Sequence, residues 1–335
     1  MIEIKKHKKM DDLEQVWKGL YNSCPSIVPM AEYEFVIMFN GGLVSKLSSF
    51  LNKKSKNVYY EVLDNNETVL ILPCVIENNE IVSMYTLDYY DCIFKNDISA
   101  EKMFEYLKTI SRFENKKLKM LRLKNDGATY GKLKNLVKFE DCNECVKINF
   151  SKDYEEYYSS LSKSARQNLR TAYNRANTDN LKFEFDIHFG KTSKKVQNQL
   201  NKIYLNRRAS RYNNMSFIKK VLFKISDRIA DVCFGLNSSF HACLSLNNTP
   251  VAFMAGLVNG KELIVPRLAI NDKYSRYSLG IVLVNETIKV IQQKGFTCLD
   301  LSAGTETYKF QMGGQSHICY SLTIGENDEQ QENEL

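Results

Sequence analysis

Residues 251–310, VAFMAGLVNGKELIVPRLAINDKYSRYSLGIVLVNETIKVIQQKGFTCLDLSAGTETYKF, carry the order of elements that decides the fold. VAFMAGLV and KELIVPRLAI read as strands joined at Asn259-Gly260, a type I′ hairpin signal. GIVLVNETIKVIQQKG sets Val284, Ile288 and Ile291 on one helical face and ends at Gly295, where a left-handed cap is expected. FTCLDL follows as a buried strand and TETYKFQ as a short helix. Pro266 has no N–H to give a ladder, so it marks a bulge or an edge in its strand. The helix after NDKYSRYSLG begins with unpaired amides and a partial positive charge beside a strand end. With Lys273, Arg276 and Gly280 at hand, that turn suits an anionic pyrophosphate; the alternative is a solvated basic loop.

Working outward, SFHACLSL and the turn Asn247-Asn248-Thr249-Pro250 supply another strand of this meander. LKFEFDIHF alternates Leu181, Phe183, Phe185 and Ile187 with polar residues, as a half-buried strand does. Two amphipathic helices stand between them, one with Val196, Leu200, Ile203 and Tyr204 on a face, the other with Phe217, Val221, Ile225 and Ile229. A basic helix, LSKSARQNLRTAYNRAN, precedes them, and HICYSLTI is the last strand.

The first half repeats this order. Short helices over 11–21 and 45–52 lead to a meander with turns at Asn65-Asn66 and Asn78-Asn79. A helix with Met103, Phe104, Leu107 and Ile110 on one face follows, then the strands LKMLRL and CVKINF. For a chain of 335 residues this predicts an α/β (α+β) protein of two tandem domains of one architecture, residues 1–150 and 151–325. Each has a mixed, mostly antiparallel sheet flanked by helices, the first with a lost or altered site. Residues 326–335 read as an acidic disordered tail.

Composition narrows the class. At 44% hydrophobic and 25% charged residues, with 18 Phe and 19 Tyr, the chain folds rather than staying disordered. The start, MIEIKKHKKMDDLEQVW, lacks the apolar core of a signal peptide, and no apolar run is long enough to cross a bilayer, so a cytoplasmic location is expected. The 9 cysteines read as buried thiols of a reducing compartment, and the single pair Cys142 and Cys145 predicts no metal site. His188 and His241 read as structural. A net charge of +7 favours anionic partners: a CoA pyrophosphate, a nucleotide sugar, tRNA or a membrane face.

DLSAGTETYKF is the polar stretch that directly follows a buried strand, at the carboxyl end where α/β folds keep their sites. Asp300 and Glu306 suit a base or an orienting carboxylate, Tyr308 an acid or hydrogen-bond donor, and Lys309 an electrostatic stabiliser of an oxyanion or phosphate. The alternative makes Asp300 and Ser302 helix caps and Tyr308 a core residue. For Lys309 the functional reading predicts that its replacement by alanine ends activity at a nearly unchanged melting temperature.

These stretches together resemble the CelD/BcsL acetyltransferase family, named for cellulose biosynthesis, within the GNAT superfamily. A basic L-S-x-x-x-R-x-x-L-R helix is matched by Leu161, Ser162, Arg166, Leu169 and Arg170, and a D-x-x-x-G-x-E-x-Y-K pattern by Asp300, Gly304, Glu306, Tyr308 and Lys309. The resemblance covers most of residues 151–325. In LDYYDCIF, Asp88, Tyr90 and Asp91 resemble a substrate-side segment. It implies a cytoplasmic acyltransferase of polysaccharide biosynthesis, using acetyl-CoA or another acyl-CoA as donor and no metal. The expected acceptor is a small molecule, a sugar, nucleotide sugar or envelope precursor, with no DNA partner and possible peripheral association with a biosynthetic complex. The donor would lie along Leu268 and Ala269 and over Lys273, Arg276, Tyr277, Ser278, Leu279 and Gly280; Arg166, Arg170 and Arg207 join Asp88, Tyr90 and Asp91 on the substrate side. The sequence departs from the superfamily's R/Q-x-x-G-x-G/A loop, because Leu279 and Ile281 stand where glycine or alanine is usual. Two rivals remain open: a Fem-like transferase using aminoacyl-tRNA, and a non-catalytic binding module of the same fold.

Overall fold

Asparagine pairs set most of the hairpins. Asn65-Asn66, Asn78-Asn79 and Asn247-Asn248 all have positive φ, as a type I′ turn requires of both central residues. Asn259-Gly260 differs from the expectation: Asn259 pairs with Glu262, the loop is Gly260-Lys261, and of these only Gly260 has positive φ. Glycine at the first loop position is the type II′ preference.

The computed structural model describes residues 1–40, 56–84, 87–150, 153–211 and 228–325, without the side chains of 207–211 and 228. The expected helix over 45–52, most of the one containing Phe217, and the acidic tail lie outside the described residues. The first part of the chain runs β1 (Ile2–His7), α1 (Glu14–Ser23), α2 (Tyr33–Asn40), β2 (Lys56–Asp64), β3 (Glu67–Glu77), β4 (Glu80–Ser83), β5 (Ile93–Phe94), α3 (Ala100–Glu114), β6 (Leu118–Lys124), α4 (Ala128–Leu133) and β7 (Glu140–Asn149). The second runs α5 (Tyr154–Ser160), α6 (Lys163–Thr178), β8 (Phe183–Phe189), α7 (Lys194–Arg211), α8 (Arg228–Gly235), β9 (Ser239–Leu246), β10 (Thr249–Asn259), β11 (Glu262–Ile270), α9 (Leu279–Ile291), β12 (Cys298–Ala303), α10 (Thr307–Gln311) and β13 (Gln315–Ile324).

The chain divides into two compact units, one of Met1–Asn143 with the stretch from Ile318, the other of Glu144–His317. These units do not follow a single cut near residue 150, because most of β7, which precedes it, joins unit 2 and most of β13, which follows it, joins unit 1. In unit 1 the strand order is β1-β2-β3-β4-β6-β13, with β4 and β6 parallel and β13 antiparallel to β6. In unit 2 it is β8-β9-β10-β11-β12-β7, with β11 and β12 parallel and β7 antiparallel to β12.

The correspondence reaches single residues. In β6, Leu121 and Arg122 bulge between the pairs Met120↔Leu322 and Leu123↔Tyr320, with Arg122 at φ 64°. In β12, Leu301 and Ser302 bulge between Asp300↔Lys147 and Ala303↔Cys145, with Ser302 at φ 57°. Both units therefore share one topology and this particular bulge, although their residues differ.

Helix α3 buries most of the face that its periodicity predicts, and α9 buries more than the one face expected of it. In α3, Met103, Leu107 and Ile110 are buried, and Ser99 caps the first turn by accepting from the Lys102 amide. In unit 2, α9 is buried almost all round, with Leu279, Ile281, Val282, Leu283, Val284, Ile288 and Ile291 in the core. Gly295 ends the following turn in the left-handed region at φ 87°.

Candidate active site

The site of unit 2 is a fork between β11 and β12. Their parallel register runs Glu262↔Cys298, Leu263↔Leu299 and Ile264↔Asp300, and stops there. On its other side β11 continues against β10 as far as Ile270, after a bulge in which Val265 and Pro266 oppose Gly256 alone. Pro266, with no N–H, and Gly256 make this bulge together. A Cβ on Gly256 would stand 1.8 Å from the Ile264 carbonyl oxygen and 2.9 Å from Pro266 Cδ. The strand segment carrying Arg267, Leu268 and Ala269 thus leaves the β12 register and runs on against β10 beside the fork.

At the start of α9, Ser278 sits in the left-handed region, φ 50° and ψ 45°, and no side chain caps the turn. The first intrahelical bonds run from the Ile281 and Val282 amides to the Ser278 carbonyl, so the Leu279 and Gly280 amides precede them. Leu279 and Ile281 are buried in the core, which is why neither is glycine; Gly280 alone is open. A Cβ on Gly280 would be 3.9 Å from the Tyr308 ring, so the turn and α10 adjoin.

The segment before the turn is tied to α6. Asp179 accepts from the Tyr277 hydroxyl at 2.6 Å and pairs with Arg276 at 3.2 Å, and Arg175 donates to the Arg276 carbonyl at 2.9 Å. The hydrogen bond to Asp179 raises the Tyr277 hydroxyl above its ordinary range. Lys273 is exposed. Asp179 was not among the residues expected from the sequence, where nothing local distinguishes it from any acid after a helix.

On the other arm, Asp300 is fully buried and accepts from the Ser302 amide at 2.8 Å, which holds Ser302 in its left-handed conformation. His317 Nε2 lies 4.0 Å from the second Asp300 oxygen. Lys309 departs most from the sequence reading. It is 2% exposed, and its ammonium donates to the carbonyls of Leu301 at 2.8 Å, Ser302 at 3.3 Å, Ala303 at 2.9 Å and Gly304 at 2.9 Å. Glu306 adds an ion pair at 3.1 Å. An ammonium so engaged fastens the arm of the fork and is not presented to a ligand. Glu306 is itself largely solvent-facing, and Tyr308 is half-buried beside Gly280.

The arginines expected on the substrate side separate. Arg166 donates to the Ser159 carbonyl at 2.5 Å, joining α6 to α5. Arg170 is exposed and lines a cleft with Tyr154 and Tyr173. Arg207 belongs to α7, with its side chain outside the described residues. Arg267, not singled out from the sequence, is buried on the splayed part of β11 with its guanidinium carbon 3.7 Å from the Tyr204 ring centre. His241 is buried, and burial lowers its imidazole to about 4, so it stays neutral.

Asp88, Tyr90 and Asp91 lie in unit 1, where Tyr90 and Asp91 serve the fold in place of the expected substrate contact. Asp91 is 1% exposed and accepts from the amides of Val28 at 3.0 Å, Ala128 at 3.3 Å and Thr129 at 2.9 Å, capping α4. Tyr90 donates its hydroxyl to the Pro73 carbonyl and its amide to the Arg122 carbonyl, both at 2.9 Å, and bridges Leu123 in parallel. The chain's own backbone thereby occupies the β4/β6 fork, leaving a cavity of ≈ 160 Å³. Asp88 is half-buried in the same segment.

Comparison with known proteins agrees with the fold. Among solved structures of the same fold, FemX aligns with a TM-score of 0.56 at 10% identity, over 96% of this chain and 97% of that one. The C-terminal DUF2156 domain of a lysylphosphatidylglycerol synthetase candidate from Agrobacterium fabrum aligns at 0.51 and 11% identity, over 78% and 82%. A conserved protein of unknown function from Bacteroides thetaiotaomicron aligns at 0.51 and 12%, over 96% and 99%. At such identities the likeness is one of fold. The acetyltransferase (GNAT) domain model matches residues 163–310, from the start of α6 to α10. The fork therefore lies within the residues that match the acetyltransferase (GNAT) domain model, in a mixed α/β protein. No curated protein matches the chain. Among the described residues no helix is long and apolar enough to cross a membrane, and no group of acidic, His and Cys side chains could hold a metal.

Proposed function

We propose that the chain is an acyl-CoA-dependent N- or O-acyltransferase, the acyl group being acetyl, that acts on a sugar, nucleotide sugar or cell-envelope precursor. The observation that carries this reading is the fork of β11 and β12, which opens beside an uncapped helix start within the residues that match the acetyltransferase domain. The donor's extended arm would lie along Leu268 and Ala269, and its pyrophosphate at the Leu279 and Gly280 amides beside Ser278, with Lys273, Arg276 and Tyr277 around it. Bound there, the donor supplies a thioester-activated acyl group. Tyr308 and Glu306 are the side chains left to give or take a proton, while Asp300 and Lys309 are positioning residues that hold the Leu301–Gly304 arm.

Thermal-shift measurements with acetyl-CoA, longer acyl-CoAs and tRNA test the donor. Ligand at a hundred times its dissociation constant stabilises by about 2.7 kcal/mol. Silence with every acyl-CoA removes the reading. The fold likeness to FemX along nearly the whole chain favours one rival, a Fem-like transfer from aminoacyl-tRNA, for which Lys163, Arg166, Arg170 and Arg175 of α6 would meet phosphates. Stabilisation by tRNA alone would select it.

A further inference from the structure

A cavity of unit 2, ≈ 450 Å³, lies among α5, α6, β8 and α9. Small-molecule sites are commonly about 300–1,000 Å³. It is distinct from the fork. In the strand order β8 is three strands from β11, about 14 Å at ~4.8 Å per strand. Along α9, Glu286 lies about 10 Å beyond Leu279 at ~1.5 Å per residue.

We propose that this cleft holds a neutral saccharide. Tyr154 and Tyr158 stack at its rim with ring centres 6.0 Å apart and planes at 29°, forming an aromatic platform. Tyr173 stands edge-on to Phe183 at 5.5 Å within the lining. One buried amide orients the tyrosines: Asn285 accepts from the Tyr154 hydroxyl at 2.9 Å and donates to Glu286 at 3.3 Å and to the Tyr173 hydroxyl at 3.5 Å. The Tyr173 hydroxyl donates in turn to the same Glu286 oxygen. These hydrogen bonds fix the tyrosines within the fold itself, which lowers the ordering cost of binding.

The charges choose the ligand class. Arg170 and Lys289 are balanced by Glu155 and Glu286 in the lining, so a polyanion gains no net attraction. A wholly apolar ligand would leave those charged heads without hydrogen bonds on its side. A neutral sugar ring matches both demands: its C–H face packs on tyrosine, and its hydroxyls meet carboxylate, guanidinium and ammonium.

The test is titration of the full chain, with no acyl donor present, by saturation-transfer NMR and calorimetry. The probes are methyl β-D-glucoside, N-acetylglucosamine and cellobiose, with uridine monophosphate as the anionic comparison. Saturable binding of a neutral sugar, weakened about tenfold or more by Tyr158→Ala and by Glu286→Gln in folded protein, is the expected result. Two variants are used because Tyr158→Ala removes a ring at the rim, whereas Glu286→Gln keeps the side chain's size and removes its charge. No binding up to the sugars' solubility, binding that neither variant weakens, or preference for uridine monophosphate would overturn the proposal. Because no donor is involved, the outcome is separate from that of the acyltransferase reading.

Discussion

Gly256 faces Ile264 across the β10/β11 ladder so closely that a Cβ would lie 1.8 Å from the Ile264 carbonyl oxygen. The bulge that frees β11 from β12 exists because residue 256 has no side chain. The neighbour is backbone, which cannot swing aside.

Gly256→Ala is therefore expected to lose about 1–3 kcal/mol or more of stability, as overpacking does, read as a lower urea midpoint. It should also close or distort the fork and weaken donor binding in thermal shift. Alanine tolerated with stability unchanged would mean the bulge relaxes freely.

Lys309→Met should destabilise by about 3–5 kcal/mol, because it removes the buried charge that the carbonyls of residues 301–304 and the Glu306 carboxylate surround. This replaces the expectation from sequence of lost activity at an unchanged melting temperature. If activity vanished with the melting temperature intact, direct chemistry by the ammonium would be restored.

Restoring small residues to the degenerate loop should fail. Leu279 is 1% exposed in the unit 2 core, so Leu279→Ala is expected to cost about 2–5 kcal/mol as a cavity. An increase in acyl-CoA affinity without loss of stability would show instead that the loop, not the core, sets this residue.

Burial pushes the Asp91 carboxyl up to about 6 against the pull of its amide donors. A folded-state value above the unfolded one means that stability is fully present below about pH 4 and is lost as pH rises toward 6. Relative to Asp91→Asn, the wild-type unfolding free energy should fall by about 3 kcal/mol across that window and then level off. A rise over the same window would mark Asp91 as an ionised cap.

What sequence alone decided here is local. Asparagine pairs tolerate positive φ, proline lacks a donor, and apolar spacing repeats at the period of a strand or a helix, so the three Asn-Asn hairpins, the Pro266 bulge and the Gly295 cap were all legible. The Asn259-Gly260 turn was not, because the loop lies one residue later than the pair itself suggests. Tertiary structure decided which partners lie far away in sequence. β7 ends the sheet of unit 2 and β13 that of unit 1, Tyr154 meets Asn285 across 131 residues, and Asp91 turns its carboxyl oxygens to the backbone amides of α4 and Val28. Lys309 shows the physical reason. Its contacts are only three to eight residues away, yet whether its ammonium met solvent or carbonyls depended on how the β12 bulge turned, and burial is a property of packing that no residue carries by itself.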